Sequence, residues 1–141
     1  MKKITVENYK NDKFYGSIVK AVKELLMEKN EISAVDLFIK MAMVDPVHCE
    51  RWKKGQVPYF EKIVQCNLSK ANRILRVFRM HTHDLKMGSK IVKYLRKGGI
   101  PLRFSKTGDQ NIEDAYARHF YIIGSREKFF EKKLNLEPVC A

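Results

Sequence analysis

Cysteine is scarce in this chain and badly placed for cross-linking: Cys49, Cys66 and Cys140 are odd in number, and no two stand in a C-x-x-C spacing. Neither a disulfide framework nor a zinc-ribbon pattern follows, so a reducing, cytoplasmic compartment is expected. Long apolar runs are missing too. The opening MKKITVENYKND has two lysines with no apolar segment behind them, and no other run approaches the ~20 residues of a membrane span. No export signal and no membrane partner are expected. A Gly-rich phosphate loop, a nucleophile elbow and a paired set of metal ligands are all absent from the sequence. No cofactor, no metal and no catalytic residue are therefore assigned.

Acid is the most informative shortage. Over all 141 residues the formal net charge is +12, but the excess is not spread. From Arg51 to Lys106 there are fifteen Lys and Arg against two acids, Glu61 and Asp84, a net of +13, and the two arms outside that block nearly cancel. A chain made basic for solubility would distribute its charge. A contiguous basic block marks a contact surface for a polyanion.

What is present reads as a set of helices with clear punctuation. In NDKFYGSIVKAVKELLMEKN, Phe14, Ile18, Val22, Leu25 and Leu26 recur at three- or four-residue spacing, with Asn11 or Asp12 as the cap, which predicts a helix ending near Lys29. Ser33 with Asp36 three residues on is close to a capping box and starts a short, largely buried helix. Asp45 followed by Pro46 is a cap-plus-N1 pair, and Gly55 stops that helix at a favoured C′ position.

Pro58 is expected at N1 of a fourth, long amphipathic helix running toward Gly88, with Phe60, Ile63, Val64, Leu68, Ala71, Ile74, Leu75 and Phe78 on one face. Asn67 falls within that apolar face, where its amide needs a partner at a helix crossing. Beyond Gly88, Gly98 and Gly99 between β-forming residues predict a β-hairpin, with Pro101 making its second strand an edge. Asp109 caps a short helix through Ile112 and Tyr116. Residues 1–125 are read as one basic, mostly helical domain and residues 126–141 as a loosely held C-terminal tail. The expected fold class is α+β, predominantly α: a helical bundle with one long helix, then a hairpin and a short C-terminal helix.

Leu37 and Phe38, then Val44, Trp52, Gly55 and Pro58, resemble the helix-turn-helix of Cro-type repressors over Ile32 to Pro58. That resemblance implies a second helix reading DNA. Several positions depart from it: Phe38 or Ile39 stands where the family has a small residue, and Ala42 or Met43 stands for the turn glycine. The implied reading face, Asp45, Pro46, Val47, His48 and Glu50, lacks the Arg, Lys, Asn and Gln that pair with base edges. Burial of this helix through Trp52 is the alternative. The runs WKKGQVPYFEKIVQCNLSK and LRFSKTGDQNIEDAYARHF are similar to a family of small, uncharacterised bacterial proteins, a resemblance covering about two-thirds of the chain. It implies no activity.

The candidate contact residues follow from the basic block. Lys70, Arg73, Arg76 and Arg79 stand three apart along one flank of the long helix, placed to straddle phosphates. Lys93, Arg96, Lys97, Arg103 and Lys106 supply a second basic wall around the hairpin, with Tyr94 and Phe104 for base stacking or for core packing. Lys53 and Lys54 join them from the corner ahead of Pro58.

Catalytic alternatives are thinner. His81, His83 and Asp84 form HTHD, but on a helix residues two apart point roughly 160° away from one another, which argues against a shared metal. Arg76 and His81 resemble the Arg-to-His signature of HEPN ribonucleases, which implies metal-independent RNA cleavage at a dimer interface; Val77 occupies a place that is often polar there. Asp109, Glu113 and His119 are available for acid-base work, with capping and surface roles as their alternative. The function expected is non-catalytic binding of nucleic acid, DNA or RNA, through the Arg51 to Lys106 surface. An interaction or assembly module for an acidic protein partner, with homodimerisation through leftover apolar surface, is the competing class.

Overall fold

Helix α1 spans Tyr15–Glu28 and turns Ile18, Ala21, Val22, Leu25 and Leu26 inward, the i, i+3, i+4, i+7 stripe that an amphipathic helix buries. The computed structural model describes Thr5 and residues 7–134. Asp12 does not cap α1 by the usual reach into its first turn. It accepts the Phe14 amide at 2.9 Å, just ahead of the helix, and forms an ion pair with Arg73.

Strand β1, Glu31–Ser33, follows directly, and Ser33 closes the strand while capping helix α2, Ala34–Lys40. The predicted capping box forms in both directions: Asp36 N donates to Ser33 Oγ at 3.1 Å and Ser33 N to Asp36 Oδ2 at 3.2 Å. Helix α3, Pro46–Lys53, starts on Asp45, whose Oδ1 accepts the Val47 amide at 2.8 Å. Its inner face buries Cys49 and Trp52. Burial pushes the Cys49 thiol up, and does the same to the partly buried Cys66.

The long fourth helix is shorter than its sequence suggests. Helix α4 is Leu68–Asp84, capped by Asn67, whose Oδ1 accepts the Lys70 amide at 2.8 Å. The amide expected in the middle of an apolar face is thus the helix's own start. Pro58 opens no helix, and residues Phe60–Ile63 form a single 3₁₀ turn instead. Ala71, Ile74, Leu75, Val77 and Phe78 are buried on α4, whereas Leu68 is exposed.

Strand β2, Gly88–Ile91, pairs antiparallel with β5, Arg118–Tyr121, which also pairs with β1, giving the order β1-β5-β2. Ile32 lies opposite Phe120, and Phe120 meets Phe78 of α4 edge-on with centroids 5.0 Å apart. Gly88 leaves room for Tyr121 to lie across it, since a Cβ there would come within 2.4 Å of that ring and displace it. Strands β3, Leu95–Arg96, and β4, Ile100–Pro101, make the predicted hairpin, with Gly98 and Gly99 at positive φ. Helix α5, Gln110–Ala117, is capped by Asp109 as expected. Helix α6, Arg126–Lys133, corrects the reading of a loose tail: Ser125 caps it, and Phe129 and Phe130 are buried. Residues 135–141 of that tail lie outside the described residues. The fold is α+β and predominantly helical, with a small antiparallel sheet.

Around Trp52 the core is aromatic. The indole centroid is 5.0 Å from both Phe60 and Phe104 and 5.8 Å from Tyr94, and Nε1 donates to Arg103 O at 2.9 Å. The ring packs against the 3₁₀ turn and the hairpin's flanks. Trp52→Ala is expected to cost about 3 to 5 kcal/mol, the range for emptying a large aromatic site, and also removes the indole's bond to the Arg103 carbonyl, which keeps only the Phe60 amide. Urea denaturation checks this. A loss below about 1 kcal/mol would show that the aromatic cluster does not hold the domain together.

His81 on α4 is buried, its ring edge-on to Tyr15 with centroids 5.9 Å apart. Burial pushes its imidazole down to about 4; Asp84 opposes that shift and Lys10 adds to it. The unfolded chain therefore takes up this proton first. His81 contributes stability that is present above about pH 6.5 and is lost as pH falls toward 4. The shift corresponds to roughly 3 kcal/mol between pH 7 and pH 4. The difference in stability between the parent chain and His81→Leu, measured at both pH values, is expected to change by that order. A pH-independent difference would contradict the burial of a neutral ring.

Candidate nucleic-acid interface

The basic surface is built around a segment that lacks regular structure. Residues 103–108 run between the hairpin and α5, and two carboxylates receive their amides. Glu113 accepts Phe104 N at 2.9 Å and, through its other oxygen, Ser105 N at 2.5 Å and Ser105 Oγ at 2.6 Å. Glu61, a buried residue of the 3₁₀ turn, accepts Lys106 N at 3.0 Å and Tyr116 Oη at 3.1 Å. That bond and burial hold the Tyr116 phenol well above its ordinary range, burial being the larger cause. The 3₁₀ turn is bonded to the same segment: Phe60 N donates to Arg103 O and Glu61 N to Phe104 O.

This frame sorts the sequence-predicted contact residues. Lys53, Lys54, Lys93, Lys97 and Lys106 are exposed, on the end of α3, the hairpin and the pinned segment. Arg96 is exposed as well and lies across Gly55, where a Cβ would meet its Cδ at 2.4 Å. That approach joins the hairpin to the end of α3. Arg103 is different: Nε donates to Ser105 O at 2.9 Å and Nη2 to Lys106 O, so its guanidinium staples its own loop. On α4, Lys70, Arg76 and Arg79 are exposed. Arg73 is bound to Asp12, whose side chain is only 2% exposed, which corrects its placement among solvent-facing phosphate contacts. Truncating Arg73 would leave a buried carboxylate without its partner and would not leave the fold intact.

Tyr94 and Phe104 are core residues rather than stacking platforms. The Phe104 ring stacks parallel to Tyr116 at 5.5 Å. Tyr94 joins a polar chain that sequence reasoning did not foresee. His119 Nδ1 meets Glu31 Oε2 at 2.8 Å, the Tyr94 hydroxyl meets His119 Nε2 at 2.5 Å, and Lys90 Nζ donates to Glu31 Oε1 at 2.9 Å. The carboxylate only accepts, so Nδ1 carries the proton toward Glu31, and in the neutral ring Nε2 is the acceptor for the Tyr94 hydroxyl. Lys90, and next His119, hold the Glu31 carboxyl below its usual range, while burial pushes the Tyr94 phenol up to about 12. The chain ties the sheet to the hairpin, and no signal in the sequence marks it, because its members stand on four separate segments.

Asp109 caps α5 and Glu113 holds the 103–108 segment. His81 is buried whereas His83 and Arg76 are exposed, so His81 shares a surface with neither. Among the described residues no group of three His, Cys, Asp or Glu is arranged to hold a metal, and no helix is long and apolar enough to cross a membrane.

Beside α3 lies an open cleft of about 410 Å³, walled by His48, Arg51, Gln56, Lys62 and Gln65. Sequence reasoning left these residues out of the contact set. Helix α3 borders it, and the turn between α2 and α3 holds Ala42 at φ 59°, the conformation a glycine takes most easily. On α3 the outward face is mixed: Val47 is 59% exposed, Asp45 is spent as a cap, and Glu50 pairs with Lys53 at 3.4 Å. No family model, no curated protein and no solved structure matches this chain.

Proposed function

We propose that this chain is a non-catalytic nucleic-acid-binding module whose main contact wall is the end of α3, the β3–β4 hairpin and the 103–108 segment. One observation carries the reading. Of the fifteen Lys and Arg from Arg51 to Lys106, three pair with a carboxylate (Lys53, Arg73 and Lys90), leaving twelve with no acid partner among the described residues. The block's two acids are committed elsewhere, Glu61 to Lys106 N and Tyr116, and Asp84 to the Tyr9 hydroxyl. A face made only for solubility would carry interspersed acids and intrahelical pairs. Unpaired cations on adjoining elements are what a phosphate backbone neutralises.

The mixed outward face of α3 favours contact with backbone phosphate over reading of base edges. Lys54, Lys97 and Lys106 supply cations from all three elements of the wall. Lys70, Arg76 and Arg79 form a separate flank on α4.

Fluorescence-anisotropy titration against single-stranded DNA, single-stranded RNA, duplex DNA and heparin at several salt concentrations tests this. Combined Lys54→Ala, Lys97→Ala and Lys106→Ala is expected to weaken nucleic-acid binding and to reduce the log-log salt slope by about 0.7 to 0.9 for each phosphate no longer neutralised. Arg76→Ala with Arg79→Ala is expected to have the smaller effect. Equal, weak binding to heparin and to every nucleic acid, untouched by the triple substitution, would sink the proposal and leave net charge alone.

A further inference from the structure

Three helices of this chain end in the same way. After α2, Met43 N donates to Phe38 O and Ala42 N to Ile39 O; after α3, Gln56 N donates to Arg51 O and Gly55 N to Trp52 O; after α4, Met87 N donates to Thr82 O and Lys86 N to His83 O. Each is a Schellman closure, with Ala42, Gly55 and Lys86 at positive φ. Such closures usually carry an apolar contact between the residue after the turn and the third residue from the helix end. At α2 that pair is Met43 and Phe38, and at α4 it is Met87 and Thr82. At α3 it is Gln56 and Arg51, both of which line the cleft.

The α3 closure thus carries two polar residues where the α2 closure carries two apolar ones, and both of them line the cleft. His48 stands one turn back on the same face as Arg51, and Lys62 and Gln65 join the lining from the segment that contains the 3₁₀ turn. Gln65 is fixed there by its amide, which donates to Met43 O at 2.7 Å. No carboxylate lines the cleft. The nearest in sequence turn away, Glu50 to Lys53, Glu61 to the Lys106 amide and Asp45 to the Val47 amide. The remaining wall includes Val57 and Pro58, flat apolar surface against which a sugar or base can lie.

We infer that this cleft binds a phosphate monoester carried by an unpaired nucleotide: Arg51 and Lys62 hold the phosphate, and Gln56 and Gln65 face the sugar or base. A duplex is convex and cannot enter a concavity of about 410 Å³, whereas one unpaired nucleotide fits. A terminal phosphate also bears more negative charge than an internal diester and exposes more oxygens to a guanidinium. The inference rests on the nucleic-acid reading only where the nucleotide is a strand's end. A free mononucleotide presents the same group.

The test uses one single-stranded oligonucleotide sequence bearing a 5′-phosphate, a 3′-phosphate or hydroxyls at both ends, with adenosine 5′-monophosphate as free ligand and competitor. One phosphorylated end is expected to bind about tenfold more tightly than the hydroxyl form, the scale of one charge-assisted hydrogen bond. That preference should vanish in Arg51→Ala and in Lys62→Ala, whose side chains are exposed, and survive in Lys20→Ala, an exposed lysine of α1 that belongs to neither surface. Free monophosphate binding that needs Arg51, without discrimination among strand ends, supports the cleft with a free nucleotide as the source. Strands bound equally whatever their ends, together with no binding of the monophosphate, overturn this inference while leaving the broader proposal standing. Failure of every strand to bind, with the monophosphate still bound through Arg51, overturns the broader proposal and leaves the cleft.

Discussion

Three consecutive amides, those of Phe104, Ser105 and Lys106, have no helix or sheet to receive them, and the basic side of the molecule depends on the two carboxylates that do. Hydrogen bonds to ionised oxygens are the strong kind, and a buried amide left unmet is costly. Glu61 comes from the 3₁₀ turn and Glu113 from α5, so one short segment is gripped by two parts of the chain far apart in sequence. With that grip in place, Arg103 O is where the Trp52 indole can use it, and the hairpin is held beside α3. The same arrangement explains a charge asymmetry. One of the block's two acids is consumed inside the structure, beneath the surface whose cations it does not neutralise.

Punctuation was legible in the sequence wherever a side chain caps its own neighbours. Ser33 with Asp36, Asp45 with Pro46, Gly55 and Asp109 all do locally what their spacing implies. The hairpin was legible for the same reason, since Gly98 and Gly99 set its turn without outside help. The α+β class followed from these signals. Asn67 was misread because the apolar spacing continues without a break from Phe60 to Phe78, and a 3₁₀ turn can bury Phe60 as well as an α-helix would. Only the cap geometry tells the two apart.

The three-stranded sheet was not legible. Its strands have three or four residues, too few for alternation to rise above chance, and Gly88 to Ile91 is mostly polar. Their order also brings the last strand between two earlier ones, which no local pattern encodes. The charge block identified the right stretch of chain but not which cations were free. Arg73 looks equivalent to Arg76 and Arg79 along the helix, and it is Asp12, sixty-one residues earlier, that removes it from the surface. The cleft escaped notice because Gln56 and Gln65 carry no charge and take their meaning from the walls they face.

Cys49 gives this surface a built-in clock. Its thiol lies on the inner face of α3, 1% exposed and with its ionisation opposed by burial, three residues before the indole that anchors the corner. A thiol reagent can reach it only during excursions in which α3 lifts away, so its modification rate measures the free energy of that opening in the unaltered chain. Helix α3 has its other side on the cleft. A ligand seated against Arg51 would lengthen the time between openings, and occupancy on the outside would be recorded by chemistry on the inside.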